Sequence, residues 1–382
     1  MNRRSVRRGT LASIAAEIGV SRTTVSNAYN RPDQLSPELR EKILATAERV
    51  GYPGPDPTAR SLRMRRAGAI GVLLTEDMTY AFEDQASVEF MAGVAAACGS
   101  LNSSMLVLPA GVGAPTTDET AAATRATQLV NQASVDGFIV YSVAADDPHL
   151  AAVLARGLPT VICDQPIAPA SKGEFGFVGI NDREAIKPAA RAVVEAGHTR
   201  IGILCIRLDR TPNDGPVSPE RLAKAQMHVQ RSRVQGVLDV ISDATLDPTQ
   251  VPVVERHINN RETAKDAARE LLTSHPELTA IVCTTDSMAL GVVEYAREQG
   301  IEIPSQLSVT GFDGIPEAVN EGITTVRQPT QHKGRESGEM LGALQEAQSE
   351  RTPAEMPTRV ILETSLKPGN SVAPPAAANS PA

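Results

Sequence analysis

From Ala69 onward, short apolar runs of four or five residues alternate with longer amphipathic stretches, and this alternation restricts the fold more than any other feature of the chain. Such a run, bounded by turn formers, suits a strand buried on both faces, whereas apolar residues three and four apart line one side of a helix. Strand-helix-strand repetition implies parallel α/β units. The expected strands are Ile70–Leu74, Ser104–Leu108, Gly137–Tyr141, Pro159–Cys163, Phe177–Ile180, Ile201–Cys205, Val251–Val254, Ala280–Cys283 and Leu307–Gly311. Helices such as Glu184–Ala196, Thr263–Ser274 and Met288–Gln299 fall between them. So many strands exceed what one small open sheet holds, and two doubly wound lobes are predicted.

The first fifty residues follow a different rule. Residues 10–51 read as three short helices. Thr10 caps a helix carrying Ile14 and Ile18, and Gly19 ends it. Ser21 caps the next, with Val25 and Tyr29 turned inward. Ser36 and Pro37 start a third, whose stripe is Leu39, Ile43, Leu44 and Ala47 and whose stop is Gly51. Charge separates this head from the rest. The chain has a net charge of −8, yet residues 1–66 hold 13 Lys and Arg against 6 Asp and Glu. A basic head on an acidic body is the asymmetry expected when one small domain meets a polyanion.

Helix, turn and helix in that order point to double-stranded DNA, because the second helix of such a motif enters the major groove with its first residues on base edges. Arg22, Thr23, Ser26, Asn27 and Asn30 are the candidate readers on that helix. Arg pairs bidentately with guanine and Asn with adenine, while the Thr methyl meets a thymine methyl. The same face can also be merely solvated. The linker after Tyr52 is rich in Pro and then basic. In it Arg60 and Arg63 suit phosphates, and Leu62 has no evident core to join. An apolar side chain so placed suits insertion between base steps in the minor groove; the other reading packs it on the body of the protein.

Several classes are excluded. Cys98, Cys163, Cys205 and Cys283 are far apart and lack zinc-ligand spacing, so buried thiols in a reducing cytoplasm are expected, with neither metal nor disulfide framework. The basic start is followed by an apolar run that Glu17 cuts short, and no span reaches the roughly 18 to 20 apolar residues of a membrane helix. An enzyme would require a phosphate loop, a nucleophile elbow or a metal cluster, and Gly111-Val112-Gly113 fits none of these. His198 sits at a helix-to-strand turn rather than in a catalytic setting. No enzyme activity and no cofactor are expected.

The chain resembles the lactose-repressor (LacI) and GalR family over nearly its whole length. The stretches that carry this are Leu11–Asn30, Leu35–Tyr52, Pro57–Leu62, Ala196–Ile203, Arg233–Gly236, Ala280–Gly291, Ile303–Asp313 and Thr324–Pro329, and their order and spacing together are specific. The resemblance implies residues 1–54 as a helix-turn-helix DNA-binding domain and 55–68 as hinge helix and linker. It implies 69–367 as a two-lobed, periplasmic-binding-protein-like effector-binding and dimerisation domain; composition makes 368–382 a disordered tail. It implies that Ala59, Arg60, Leu62 and Arg63 join the DNA contacts, with Leu62 from each of two protomers at the operator's centre. It places an effector between lobes joined by three crossing strands, hydrogen-bonded by Arg233 and Asp313, with Thr75, Asp164 and Thr285 lining the cleft. Arg233 can also be read as a surface ion pair and Asp313 as a loop or cap residue. A sugar or polyol is the first candidate effector, a nucleoside, nucleobase or sugar phosphate the next. The function implied is a cytoplasmic, homodimeric repressor of a palindromic operator; the alternative is a stand-alone solute-binding protein of sugar transport. The chain departs from the family at Asp56, where Asn is common, at Thr330, where some members carry an aromatic, and in the longer polar segment Arg207–Met227.

Overall fold

Well-placed caps account for the three helices of the head. The computed structural model describes residues 9–54, 66–74, 78–109, 118–168, 174–350 and 358–376, and for 78–80 the backbone alone. Thr10 and Ser13 cap each other reciprocally at the start of α1 (Leu11–Ile18), and Gly19, at φ +79°, takes the left-handed conformation that ends it. Ser21 Oγ accepts from the Thr24 amide at 3.0 Å to open α2 (Arg22–Asn30). Ser36 caps α3 (Pro37–Arg49), whose first residue is the proline. Between α2 and α3 lies a short 3-10 turn, Pro32–Gln34. Ile14, Val25 and Ile43, one from each helix, meet with no exposed surface. Each such side chain contributes about 1.5–3 kcal/mol by leaving water, which a head this small needs in full. Arg40 Nε donates to the Ala28 carbonyl at 3.3 Å, tying α3 to α2.

The chain divides into two compact units, Met1–Ala67 and Gly68–Ala382. In the second, two sheets form. One has the order β12-β5-β4-β3-β1-β2, from β1 (Ala69–Leu74), β2 (Ser104–Pro109), β3 (Gly137–Tyr141), β4 (Thr160–Cys163), β5 (Gly176–Gly179) and β12 (Arg359–Ile361). The other has the order β13-β11-β10-β9-β6-β8-β7, from β6 (Ile201–Ile206), β7 (Gly215–Pro216), β8 (Val253–Arg256), β9 (Ala280–Cys283), β10 (Ser308–Asp313), β11 (Thr324–Arg327) and β13 (Ser365–Lys367). All pairings are parallel except β7 with β8 and β11 with β13. Helices cover both faces, so strands such as Ile201–Ile206 are buried at every position.

The nine expected strands form, with ends shifted by at most two residues. Four were not foreseen. β7, β12 and β13 are edge pieces of two or three residues, and β11 is half threonine, so none shows an apolar run. The helix expected over Glu184–Ala196 divides into Asp182–Ala185 and Lys187–Glu195. Pro188, in the first turn of the second piece, has no amide hydrogen to continue a single helix.

Three crossings join the lobes, and each leaves from a strand at or next to one edge of its sheet. After β5 the chain passes to Asp182–Ala185, which packs on the second lobe's helix His228–Asp243. After β11 it returns as Thr330–Glu350, packed on the first lobe's helix Gln85–Ser100, and after β12 it crosses again to β13. The return helix approaches its neighbour through glycines. A Cβ on Gly93 would overlap the Gln331 carbonyl oxygen, and one on Gly334 the Phe90 carbonyl oxygen. Only glycine permits so close a crossing.

The segment after Lys367 corrects the expected disorder over residues 368–376. Its backbone pairs instead. The Asn370 amide donates to Gly322 O, the Val309 amide to Ser371 O, and the Ala373 amide to Ser308 Oγ. Ser371 is buried; its hydroxyl donates to Val309 O at 2.6 Å and accepts from the Thr324 amide at 2.8 Å. His198, also buried, donates through Nε2 to Ala373 O at 2.8 Å, which leaves Nδ1 to accept from Thr279. Polar composition hid a strap whose contacts are mostly main-chain. Ser371→Ala strands two buried partners at about 1–3 kcal/mol, and calorimetry is expected to show the thermal midpoint lowered by several degrees.

Candidate functional site

The carboxyl ends of parallel strands are where open α/β sheets bind ligands, and here those ends from both lobes border one cleft. It holds about 650 Å³ of space between atoms, part of it open to solvent. Asp164 follows β4 directly, Asp313 ends β10, and Thr285 follows β9 by two residues. Asp164 sits at φ +66° and Asp313 at φ +122°. Backbone held so in a residue with a side chain costs about 1–3 kcal/mol and is concentrated at functional sites.

A buried charge network joins these residues. The Arg233 guanidinium is 6% exposed; its Nε donates to Asp182 Oδ1 at 2.9 Å and its Nη1 to the Thr284 carbonyl at 2.9 Å, with Asp313 Oδ1 at 3.5 Å. It lies 3.8 Å over the Phe312 ring, a cation–π contact that strengthens when water is excluded. Across the cleft, Lys333 Nζ donates to Asp164 Oδ2 at 2.6 Å and to Gln328 Oε1 at 2.7 Å, and Gln328 Nε2 donates to Asp313 Oδ1 at 2.6 Å. Asp286 braces the second lobe, accepting from Thr325 Oγ1 at 2.6 Å and the Ile315 amide at 2.8 Å.

Burial decides the protonation of these acids. It pushes Asp313 up to about 8 against the pull of Arg233, and Asp286 up to about 7 against its hydrogen bonds from Thr325 and Ile315. Asp182 is raised by burial for the same reason. For Lys333 burial pulls the pKa down, but Asp164 and the Cys163 sulfur together push it above its ordinary value. The ammonium therefore stays charged. All four cysteines are buried free thiols, and burial raises each of them.

Of the effector residues expected from sequence, Asp164, Arg233, Thr285 and Asp313 all line this cleft. Arg233 is a buried rather than a surface pair. Thr285 has two tasks: its hydroxyl caps the helix Asp286–Gln299 by accepting from the Met288 amide, and it donates to Asn259 Oδ1 at 2.9 Å. Thr75 lies outside the described residues; its neighbour Leu74 is on the wall. Sequence reasoning missed Asp182, Gln328, Asn259, Arg207 and Lys333. Lys333 could have been found, because it shares the buried stripe of its helix with Thr330, Ser337 and Leu341, where a lysine is out of place.

In the head, Arg22 and Thr23 are exposed at the start of α2, and Asn27 is half-buried with its amide donating to Gln34 Oε1. Ser26 does not project as expected. It is buried beside Val25, and Asn30 Nδ2 donates to both its carbonyl and its hydroxyl at 3.1 Å. Helical phase puts residue 26 at the margin of the core stripe, so Arg22, Thr23 and Asn27 remain as the outward face. Ala59, Arg60, Leu62 and Arg63 lie outside the described residues.

A helix-turn-helix head followed by a two-lobed α/β receptor defines a DNA-binding transcriptional regulator. Residues 10–54 match the family of bacterial regulatory proteins described as lacI, and residues 190–372 match the periplasmic binding protein-like domain. The chain is 55% identical to the HTH-type transcriptional regulator IpsA of Corynebacterium glutamicum, over 96% of its own length and 98% of that protein. It is 46% identical to the HTH-type transcriptional regulator Rv3575c of Mycobacterium tuberculosis, over 97% and 98%. A crystal structure of a LacI-family regulator from Corynebacterium glutamicum superposes with a TM-score of 0.72 at 50% identity, covering 96% of this chain and 99% of that one. The regulator CelR, solved as its cellobiose complex, superposes at 0.65 with 25% identity, covering 95% and 100%. The chain belongs to the lacI family of transcriptional regulators.

The raised acids give a test of the cleft's electrostatics. Asp286 and Asp313 hold protons in the folded chain that the unfolded chain has released, so their contribution is complete at low pH and is lost as pH rises through about 7 and about 8. Between roughly pH 5 and pH 8 the thermal midpoint is expected to fall, and Asp313→Asn to flatten that fall. A midpoint independent of pH over this interval contradicts the assignment.

Proposed function

We propose that this regulator is a repressor that grips a pseudo-palindromic operator as a two-fold dimer, and that a sugar or polyol held in the cleft alters its affinity for DNA. The observation that carries the reading is the convergence of buried polar groups from both lobes on one cleft beside apolar walls, Leu74 and Val229 among them. A polyhydroxyl compound needs donors and acceptors aimed from several directions. Arg233, Asp164, Asn259 and Thr285 supply them, and Tyr141 gives a flat flank. The related regulator CelR, solved with cellobiose, supports the same ligand class. Nucleosides, nucleobases and sugar phosphates rank second.

Each head of the dimer reads one half-site through Arg22, Thr23 and Asn27, while the segment with Ala59, Arg60, Leu62 and Arg63 enters the minor groove at the centre. Closing the cleft reorients the lobes and so changes the spacing of the two heads. A coupling of about 1–3 kcal/mol, usual for allostery, changes occupancy roughly 5- to 150-fold. Transport of solutes is the weaker reading, since it leaves the DNA-binding head without a role.

Three measurements test this. The purified chain is titrated against a library of inverted repeats and against random duplex at several salt concentrations, with and without a panel of sugars and polyols. A salt-sensitive preference for one inverted repeat, shifted by a panel member, is expected; absence of any preference ends the reading. Leu62→Ala is expected to weaken operator binding and reduce the bend, and an unchanged bend rejects the minor-groove role. Arg22→Ala is expected to relax base preference by about 1–3 kcal/mol at one position, where loss of a phosphate contact alone changes only the salt slope.

A further inference from the structure

Among the described residues of the second unit, Lys333 is the one cation with no exposed surface, on a helix whose glycine crossing leaves no latitude in its depth. It is absent from the cleft wall, yet both groups it touches are on that wall. A lysine can only donate. By occupying Gln328 Oε1 it fixes the orientation of that amide, so Gln328 Nε2 must face Asp313, 2.6 Å away. By occupying Asp164 Oδ2 it leaves Oδ1, which is buried and has no hydrogen-bond partner. An acceptor left so costs about 1–3 kcal/mol. One ammonium thus sets the orientation of a carboxyl on each lobe. Stability does not account for it, because a buried ion pair commonly gives way to apolar side chains without loss.

We propose that Lys333 is a positioning residue for specificity: it commits one oxygen of Asp164 to the protein and so offers the other to a hydroxyl donor of a neutral polyol, while through Gln328 it fixes how Asp313 faces the cleft. Lys333 itself does not touch the effector. The assignment rests on the effector reading above and adds the residue that makes the cleft select donors.

The test uses the full chain and four neutral probes of different skeleton: D-glucose, D-ribose, sorbitol and inositol. Wild type, Lys333→Met and the double variant Lys333→Met with Asp164→Asn are compared for thermal midpoint, for its rise with each probe, and for the probe concentration that half-changes DNA binding. Lys333→Met strands the Asp164 carboxylate, so its midpoint without probe is expected to fall, and it is expected to need at least about tenfold more of the responding probe. The double variant leaves no stranded charge. Its midpoint is expected to recover while its probe sensitivity does not, because a rotating amide replaces a held carboxylate. Wild-type sensitivity in Lys333→Met, or recovery of both properties in the double variant, overturns the proposal and leaves the effector reading intact. Should Lys333→Met fail to fold, Lys333→Arg, which keeps the charge but shifts its donors, takes its place and is expected to need more of the responding probe, wild-type sensitivity there again overturning the proposal. Silence of wild type toward all four probes fails the polyol reading itself, and this assignment with it.

Discussion

The fold of the second unit depends on holding a guanidinium out of water. Arg233 donates to Asp182, at the first crossing between the lobes, and to the Thr284 carbonyl, just after β9, with Asp313 and the Phe312 ring beside it. Removing one partner of such a pair leaves an uncompensated buried charge at a cost of several kcal/mol. The helix that carries Arg233, the crossing and the strand end are therefore locked in register with one another. Gly236, one turn further along that helix, lets it lie against the Arg183 carbonyl, where any Cβ would collide.

Much of the architecture was legible because it rests on local rules. Periodicity marked nine of the thirteen described strands, and caps at Thr10, Ser21 and Ser36 marked the head. The failures have different causes. Lys333 meets Asp164 across 169 residues, and nothing near either one announces the other. Ser26 is a small polar residue whose burial depends on helical phase and on Asn30, and composition cannot resolve a difference of one position. The strap at 368–376 is the opposite case. Its side chains resemble a solvated tail, but its amides and carbonyls complete the edge of the second lobe.

The two units answer to different physics. The head has a minimal core of one large side chain per helix and an outward face whose charge suits a phosphate backbone. The body buries several aspartates at the junction of its lobes, where low polarisability makes each protonation state depend on its neighbours. Asp286 and Asp313, raised toward neutrality, sit where the strands end. A family assignment explains why such units occur in one chain; the residues explain what each can do.

The position of the three crossings has a mechanical consequence. Since β12 and β13 end their sheets with β5 and β11 beside them, all three ties between the lobes leave from one margin of a sheet, reinforced by the bond from the Leu362 amide to the Gly179 carbonyl. Plates bound along one margin swing like the covers of a book. Such a margin hinders sliding and leaves rotation about itself as the freedom the ties permit.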